Sequence, residues 1–232
     1  VLLRNITETK SATREIEHLA FYDTLTSLPN RRLLLHRLQA CIDNNARNNR
    51  QGALLFLDLD DFKRVNDAHG QTIGDEMLRQ VAVRLQSVLN EGGTLARLAG
   101  DEFVIMLENL SHDHALAMVQ TRAVADHVLA QIAEPFMLAR TAHHSTCSIG
   151  VCLFAGEQRS LEDLLKQADI AMYYAKSGGG HAVRFFEPAM KTTVTARATL
   201  DSELHVALKQ RQFVLHYQPQ VDRQGQMVGV EA

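Results

Sequence analysis

The stretch Arg97–Leu107, which reads R-L-A-G-D-E-F-V-I-M-L, predicts two short strands joined by a tight acidic turn. The strands are predicted over residues 94–98 and 103–107. The turn falls at Gly100 and Asp101, because glycine adopts a positive φ at little cost and aspartate tolerates one. The neighbouring carboxylates of Asp101 and Glu102 would then be held on a rigid turn. Two interpretations fit: an ordinary hairpin tip that acids keep soluble, or a turn that presents carboxylates to a ligand.

A second acidic stretch follows a run of apolar residues. The segment 53–57 reads A-L-L-F-L, which is typical of a central strand buried on both faces. It continues as D-L-D-D over Asp58–Asp61, so three carboxylates fall within four residues at the strand end. Carboxylates in this position suit a divalent cation, and the amides and Lys63 that follow suit a phosphate. The alternative is an acidic loop over residues 58–72 that caps a helix.

Helices and strands alternate along the rest of the chain. The predicted helices cover about 31–43, 73–89, 112–132 and 161–176, and the further strands cover 145–154 and 183–186. Asn30 is a suitable N-cap for the first helix, which ends in a polar loop over 44–52. Asp75 is placed in the first turn of its helix, where the helix dipole favours an acid, and Ser111 is the predicted cap of the next one. Residues 8–22 are predicted to be helical, as a linker helix or as a weak heptad that pairs with a second copy.

Composition and charge exclude several classes of protein. The chain has 232 residues, of which 46% are hydrophobic, and this is enough for a folded core. The net charge is −3 and basic runs are short, so we expect neither a nucleic-acid partner nor contact with an anionic membrane. No apolar run is long enough to span a bilayer and no signal peptide opens the sequence, so a cytoplasmic location is expected. Cys41, Cys147 and Cys152 are predicted to be reduced thiols, the last two on opposite faces of one strand.

The two acidic stretches would form a single site if one sheet brought them together. Asp58, Asp101 and Glu102 would then surround one metal centre. Two metal ions held in this way neutralise a triphosphate and lower the pKa of an attacking hydroxyl, which is the chemistry of phosphoryl and nucleotidyl transfer. The sequence by itself leaves open whether the two turns meet.

Several segments resemble the motifs of the GGDEF family, the diguanylate cyclases. The stretch Arg97–Phe103 resembles the signature of that family, and other segments match in order and spacing, namely Asp23–Arg31, Asp58–Asp67, Gly74–Asp75 and Ala168–Lys176. The resemblance covers about residues 16–187. It implies an α/β (α+β) fold of the nucleotide-cyclase or polymerase-palm type, in which helices flank a central, mostly antiparallel sheet. It also implies that the protein joins two GTP molecules into cyclic di-GMP, each subunit of a homodimer presenting one GTP to the other.

The resemblance implies metal-binding and catalytic roles at the matching positions. Asp58 and Asp101 would bind Mg²⁺ or Mn²⁺, assisted by the carbonyl of Leu59. Glu102 would lie beside them and assist the 3′-hydroxyl that attacks the α-phosphate. Lys63 would take part in catalysis by neutralising phosphate charge.

The resemblance also implies a set of substrate-binding residues. Asn66 and Asp75 would recognise the edge of the guanine base, a task that suits an amide and a carboxylate. The amides of Phe62 and Lys63 would contact phosphates, while the side chains of Lys63 and Lys176 would neutralise them. The complete set of substrate-binding positions is Phe62, Lys63, Asn66, Asp75, Arg97, Gly100 and Lys176.

The sequence departs from the GGDEF pattern at three places. Ala99 replaces the first glycine of the signature, so a Cβ stands where the backbone would approach the substrate. Gly180 replaces an arginine four residues after Lys176, so one phosphate contact is missing. Residues 90–93 replace the Arg-x-x-Asp motif of product inhibition, and feedback inhibition through that site is therefore not expected.

The two ends resemble neighbouring domains. Residues 1–22 resemble the end of a PAS sensor domain with its linker helix, and the GGDEF domain is predicted over 23–187. Residues 188–232 resemble a linker and the start of an EAL phosphodiesterase domain, in which Glu231 would be a metal ligand. The remaining ligands are absent, so this fragment is not expected to hydrolyse cyclic di-GMP. Residues 212–232 are expected to be disordered or paired with another segment.

Two hypotheses about function follow. In the first, the domain is a diguanylate cyclase that needs GTP, Mg²⁺ and dimerisation. In the second, it binds GTP but turns it over poorly, and regulates a fused phosphodiesterase; Ala99, Gly180 and the EAL-like segment favour this hypothesis. A nucleic-acid polymerase palm shares the two-carboxylate chemistry, but the chain lacks a basic surface for a template.

Overall fold

The computed structural model describes residues 19–89, 93–156, 160–210 and 212–231. The chain divides into two compact units, Val1–Met190 and Lys191–Ala232. The helices of the first unit are α1 (Arg31–Asn48), α2 (Phe62–His69), α3 (Gln71–Leu89), α4 (His114–Ala133) and α5 (Leu161–Ser177). Its strands are β1 (Gln51–Leu59), β2 (Gly93–Ala99), β3 (Glu102–Leu110), β4 (Phe136–Leu138), β5 (Thr141–His143), β6 (Cys147–Phe154) and β7 (Val183–Phe185).

A five-stranded sheet in the order β2-β3-β1-β6-β7 forms the centre of the first unit. Every neighbouring pair in it is antiparallel except β6 and β7, which are parallel. Strand β1 lies in the middle, and its residues 52–57 are all buried because helices cover both faces of the sheet. The predicted α/β fold, with helices around a mostly antiparallel sheet, is confirmed.

The side chains of β1 alternate between two separate apolar cores. Leu55 belongs to the core formed with α3 and α4, and Phe56 belongs to the core formed with α1 and α5. Cys147 and Cys152 on β6 are buried thiols that lie in the first and the second core respectively, so their predicted opposite orientation is confirmed. Because side chains alternate along a strand, Asp58 shares the face of Phe56, at the end of the α1–α5 side.

Helix α1 extends beyond its predicted end. Asn30 caps it as predicted, with its side-chain oxygen accepting hydrogen bonds from two backbone N–H groups. The polar loop predicted over 44–52 is wrong, because the helix continues to Asn48. Asn45 is buried, and its amide donates to the sulfur of Cys41 one turn earlier. A polar residue therefore continues the buried stripe of the helix, which the pattern of apolar residues could not indicate.

A short helix replaces the acidic loop predicted over 58–72. Helix α2 begins directly after Asp61, and Phe62 is its one buried side chain. Such a short and polar segment has no repeating apolar stripe, so its helical structure did not show in the sequence. Helix α3 begins at Gln71, which places Asp75 beyond the first helical turn. The predicted first-turn position of Asp75 is therefore wrong.

Helix α4 begins two residues later than predicted. Asp113 is its N-cap, because the carboxylate accepts a hydrogen bond from the N–H of Leu116 at 2.8 Å. Ser111, the predicted cap, instead accepts a hydrogen bond from the N–H of Asp113. Serine and aspartate are equally good caps, so the sequence does not distinguish two such residues two positions apart.

The β4–β5 hairpin was not predicted from the sequence. Each of its strands has only three residues, with Phe136 and Leu138 buried and Met137 exposed. Its turn residues, Ala139 and Arg140, both have positive φ, at +47° and +69°. Residues of these types rarely adopt that conformation, so the glycine or asparagine that indicates a tight hairpin turn is missing.

The second unit is the smaller of the two. It contains the continuation of α6 (Pro188–Lys209) and an antiparallel hairpin of β8 (Gln218–Val221) and β9 (Met227–Glu231). Helix α6 was not predicted. For residues 212–232 the sequence predicts disorder or pairing, and β8 and β9 pair with each other.

Residues 19–21 are helical, whereas Tyr22, the last residue of the helix predicted over 8–22, forms an isolated antiparallel bridge with Pro29; residues 8–18 lie outside the described residues. Residues 90–92, where the product-inhibition motif is replaced, also lie outside them. Of the helices that the structure describes, none combines the length and the apolar character needed to cross a bilayer.

Candidate active site

The acidic turn lies at the tip of the β2–β3 hairpin. Ala99 pairs with Glu102, which leaves Gly100 and Asp101 as a two-residue turn. Gly100 has a φ of +49°, which glycine adopts without strain. In the described part of the chain, no atom lies within 4 Å of the position that a Cβ would take there. The backbone conformation, rather than lack of space, therefore favours glycine, and the predicted hairpin is confirmed.

The central sheet brings the two acidic stretches together. Strand β1 pairs with β3, and Asp58 is directly opposite Glu102 in the register of the two strands. The acidic turn that carries Asp101 follows immediately from this pair. Asp58, Asp101 and Glu102 therefore lie side by side at neighbouring strand ends, although more than 40 residues separate Asp58 from the other two in the sequence.

Asp58 is in an unfavourable environment for a carboxylate. Burial raises its pKa, the ion pair with Lys176 lowers it, and the nearby charge of Asp101 raises it again; the net result is a pKa of about 6. The contact joins the Lys176 ammonium to Oδ1 of Asp58. One lysine thus offsets only part of the cost of burying this carboxylate beside Asp101, and the site favours additional positive charge.

Glu102 borders a cleft of about 330 Å³ between α1 and α5. Burial raises the pKa of Glu102, and the charges of Asp169 and Asp101 raise it further. Arg31 and Glu162 form an ion pair among the lining residues of the same cleft. Because Glu102 holds its proton more readily than an exposed glutamate, it is suited to exchange a proton with a ligand.

Gly150 on β6 allows α5 to approach the sheet closely. A Cβ at Gly150 would lie 2.0 Å from the carbonyl oxygen of Ala168 and 2.0 Å from the nitrogen of Met172. Only glycine leaves room for the helix backbone at this distance, and the last turn of α5 carries Lys176 to Asp58. Sequence reasoning did not identify Gly150, although a glycine inside an apolar strand is a known sign of close backbone approach.

Asn66 and Asp75 lie on the consecutive helices α2 and α3. Gly74 makes room for Asn66, because a Cβ at Gly74 would lie 1.9 Å from Asn66 Oδ1 and 3.1 Å from the ring of Phe62. Asn66 Oδ1 is buried and has no hydrogen-bond donor among the described residues. A buried acceptor without a donor is costly, so the arrangement favours a ligand with an N–H group. Asp75, next to Gly74, is half-buried.

Arg97 supports the acidic turn from inside the protein. Its Nε and Nη2 donate to the carbonyl of Gly100 at 2.9 and 2.7 Å, and its Nη1 donates to Asp23 Oδ1 at 2.9 Å. Only 10% of the Arg97 side chain is exposed. Burial raises the pKa of Asp23, but hydrogen bonds from Thr26 and Arg97 outweigh this effect and hold it below its ordinary value. Contact between Arg97 and a substrate stays a prediction, whereas its role in holding the turn follows from these bonds.

The oxygen groups at these strand ends fit a hard divalent cation. Mg²⁺ takes one or two carboxylates and completes its shell with carbonyl, water and phosphate oxygens. Asp58 and Asp101 are the two carboxylates that could hold such a cation, and the backbone carbonyl of Leu59 is next to Asp58. No cluster of three or more His, Cys, Asp or Glu side chains placed to hold a metal occurs in the described part of the chain.

Comparison with known protein families shows which family the chain belongs to. Residues 20–182 match the family described as "Diguanylate cyclase, GGDEF domain", and this match spans well over half of the 232 residues. The chain belongs to the GGDEF family. The predicted family membership is thereby confirmed.

Curated relatives of this GGDEF domain are longer proteins. The chain is 40% identical over 222 residues to the bifunctional diguanylate cyclase/cyclic di-GMP phosphodiesterase MucR of Pseudomonas aeruginosa, covering 95% of the chain and 32% of MucR. It is 36% identical over 228 residues to the cyclic di-GMP phosphodiesterase PdeR of Escherichia coli, covering 98% of the chain and 33% of PdeR. The chain therefore spans about a third of the length of these relatives.

A solved GGDEF domain has the same fold. The structure of the GGDEF domain of TpbB (YfiN) from Pseudomonas aeruginosa superposes with a TM-score of 0.70 at 32% identity. The match covers 75% of this chain and 99% of the TpbB chain. The first unit accordingly has the architecture of a complete GGDEF domain.

Ala99 and Gly180, which depart from the GGDEF pattern, lie in different structural environments. Ala99 is exposed and is not among the described residues with positive φ, so alanine causes no backbone strain there. Gly180 has a φ of +74°, and a Cβ on it would lie 3.2 Å from the carboxylate of Asp60. Position 180 thus lies in a turn that is packed against the end of β1.

Proposed function

We propose that this GGDEF domain condenses two molecules of GTP into cyclic di-GMP, with Mg²⁺ or Mn²⁺, in a homodimer. The observation that supports the proposal best is the crowding of Asp58, Asp101 and Glu102 at paired strand ends. The raised pKa of Asp58, about 6, reflects burial and the charge of Asp101 against the opposing effect of Lys176. A divalent cation between the two aspartates would relieve this repulsion.

The chemistry consists of two equivalent transfers. The 3′-oxygen of one GTP forms a bond to the α-phosphorus of the other, the bond to the β-phosphate oxygen breaks, and pyrophosphate leaves. Asp58, Asp101 and the carbonyl of Leu59 would hold the cation, which when bound lowers the pKa of the attacking hydroxyl. Glu102, with its raised pKa, would accept the proton of that hydroxyl. Two such transfers close the ring of cyclic di-GMP.

Binding of GTP would use groups on helices α2, α3 and α5, around the acidic strand ends. Asn66 Oδ1, a buried acceptor, would receive an N–H of guanine, with Asp75 as the second acceptor. Lys176 would exchange its contact with Asp58 for one with phosphate once the cation is present. The exposed Lys63 and the amide of Phe62 lie at the start of α2, where phosphate is favoured.

The domain would act within a larger protein. We place a PAS-like end and linker at 1–22, the GGDEF domain at 23–187 and the start of an EAL domain at 188–232. The chain spans about a third of MucR, which is named as bifunctional, and this is consistent with fused domains. We also place the protein in the cytoplasm, where GTP is the substrate and neither nucleic acid nor membrane is a partner of this domain.

The direct test is to incubate the purified chain at high concentration with GTP and Mg²⁺ and to separate the nucleotides by chromatography. Cyclic di-GMP is expected in proportion to enzyme. Asp101→Asn should lower turnover by about 100-fold or more, because it removes a charged cation ligand. Asp126→Asn, which changes an exposed acid on α4, is the matched control and should be fully active. If Asp101→Asn cyclised GTP as fast as the wild type, the metal assignment would be wrong.

A second candidate function is a GTP-binding domain that regulates a fused phosphodiesterase. Gly180 favours it, because the phosphate site then has one cation fewer than the GGDEF pattern supplies. The relative PdeR is named as a phosphodiesterase. To separate the two, the chain is fused to a dimeric coiled coil and given GTP and Mg²⁺. Tight binding without cyclic di-GMP would replace the first proposal by the second.

A further inference from the structure

The three carboxylates that follow β1 have different surroundings. Asp58 faces the acidic turn. Asp61 has 75% of its side chain exposed and pairs with Arg64 in the first turn of α2. Asp60 is half-buried and turns towards β6. The proposed function uses Asp58 and leaves Asp60 without a role.

Asp60 joins three segments of the first unit. Its Oδ1 accepts a hydrogen bond from Ser148 Oγ at 2.7 Å, and its Oδ2 accepts from Thr146 Oγ1 at 2.6 Å and from the N–H of His181 at 3.0 Å. Its own N–H donates to the carbonyl of Thr146 at 2.8 Å. Both oxygens are thus engaged by donors of the chain, so Asp60 is arranged as a structural acceptor and not as a metal ligand.

The segment that Asp60 holds is the turn after α5. Gly179, Gly180 and His181 all have positive φ, at +116°, +74° and +48°. Histidine is strained in this conformation, and the hydrogen bond from its N–H to Asp60 offsets part of that strain. The position of a Cβ on Gly180, 3.2 Å from the Asp60 carboxylate, shows how closely turn and carboxylate pack.

The same turn begins at Lys176. The N–H of Gly179 donates to the carbonyl of Lys176 at 3.1 Å, and the ammonium group of Lys176 contacts Asp58. The contacts form a closed ring that runs from Asp58 through Lys176 and the turn to Asp60, two residues after Asp58. A ring of this kind fixes Lys176 both at its backbone and at its charged end.

We propose that Asp60 is a positioning residue that holds Lys176 in place over Asp58. The inference rests on the proposed function only in taking Lys176 as a phosphate contact. Asp60 acts through the turn after α5 and touches no substrate atom itself. Residues that orient a binding group in this way contribute about 10–100-fold to affinity or activity.

The first test uses the protein without nucleotide. Lys176 is acetylated with an amine-reactive reagent, and its rate of modification is followed by mass spectrometry in the wild type, Asp60→Asn and Asp61→Asn. Asparagine keeps the size of the side chain but removes its charge and replaces one acceptor oxygen by a donor, so at least one of the three hydrogen bonds that the Asp60 carboxylate accepts is broken or reversed. We expect Lys176 to react several-fold faster in Asp60→Asn and at the wild-type rate in Asp61→Asn. Lys166, exposed on the same helix, serves as the internal reference.

Two outcomes of this test contradict the proposal. Equal rates at Lys176 in all three proteins would mean that Asp60 does not restrain it. A parallel rise at Lys166 and Lys176 would mean that Asp60 stabilises the domain in general and positions nothing in particular.

The second test is a double-mutant cycle on the binding of GTP with Mg²⁺, measured by calorimetry. Asp60→Asn and Lys176→Met should each weaken binding by about tenfold, and the double variant should bind no more weakly than Lys176→Met alone. Additive losses would mean that Asp60 acts independently of Lys176. A wild-type protein that binds GTP without forming cyclic di-GMP would end the proposed function, while the labelling and the cycle would still decide the role of Asp60.

Discussion

Asp58 combines a role in the proposed chemistry with a cost in stability. Its folded pKa of about 6 lies above the ordinary 3.8, through burial and the charge of Asp101 against the effect of Lys176. The ionised form is therefore unfavourable in the folded protein, and stability is lost as the pH rises through about 4 to 6. We expect Asp58→Asn to be more stable than the wild type near pH 8 without metal, with a free energy of unfolding higher by on the order of 2 kcal/mol.

Urea denaturation of both proteins in the presence of a chelator measures this difference. The advantage of Asp58→Asn should vanish at about pH 4, where the wild-type carboxyl is protonated. Asp60→Asn is the control, since it loses a hydrogen bond and should be less stable than the wild type at both pH values. An Asp58→Asn protein without any gain near pH 8 would contradict the raised pKa that burial and the charge of Asp101 give to Asp58.

Gly74 sets the shape of the proposed guanine pocket. In Gly74→Ala the new methyl group would occupy the place of Asn66 Oδ1, at 1.9 Å, so Asn66 must turn away. We expect the affinity for a non-cleavable GTP analogue to fall by about tenfold or more, because a buried hydrogen bond is lost. Calorimetric titration measures it, with Thr72→Ala, an exposed change on the same helix, as the control. Unchanged affinity in Gly74→Ala would mean that Asn66 does not contact the guanine base.

Single residues were predictable where the chemistry lies in the residue itself. Asp101 and Glu102 stood out because two acids on a glycine turn form a local pattern. Gly150 matters because the next helix, α5, packs its backbone against it; the glycine inside an apolar strand signals a close approach but does not tell which element approaches. The ion pair of Asp23 with Arg97 joins residues 74 positions apart, and it was missed for the same reason.

At the scale of helices and strands, a residue of α3 stabilises the C-terminal end of α4. Arg84 donates to the carbonyls of Gln131, Glu134 and Pro135 and lies 3.8 Å from the centroid of the Phe136 ring. The positive charge therefore satisfies the free carbonyls at the negative end of the helix. We expect Arg84→Met, which keeps the aliphatic stem, to lower the free energy of unfolding by about 2 kcal/mol.

Chemical denaturation tests this expectation against a control on the same helix. Arg79 is half-exposed and pairs with Glu76, so Arg79→Met should change stability by less than about 0.5 kcal/mol. Equal effects of the two substitutions would show that Arg84 contributes only surface charge.

Elements were predictable in proportion to their length and apolar repeat. Helix α5 was predicted to within one residue of its end, because its apolar positions recur over four turns. Helix α2 and the β4–β5 hairpin are too short for a repeat to show, and Ala139 and Arg140 form a turn without the residues that indicate one. Their structure comes from packing against the rest of the domain.

At the scale of the whole molecule, the proposed reaction needs two copies of the domain. Each protomer holds one GTP, so dilution should lower the rate per protomer once dimers dissociate. We expect the specific activity to fall over about a 100-fold dilution, and a fused dimeric coiled coil to abolish this fall. Initial rates of cyclic di-GMP formation measure it. A constant rate per protomer in the unfused chain would show that one domain suffices or that dimers persist.

The position of β1 has a consequence for heat and denaturants. The strand that carries Asp58 is paired on both sides, to β3 as far as Glu102 and to β6 as far as Cys147. Fraying begins at the edges of a sheet and at chain ends, where few contacts are lost at each step. Asp58 and Glu102 lie on the inner strands β1 and β3, so fraying at the edges cannot separate them unless the middle of the sheet opens. Heat should therefore separate Asp58 from Glu102 only when the sheet as a whole unfolds, in a single transition.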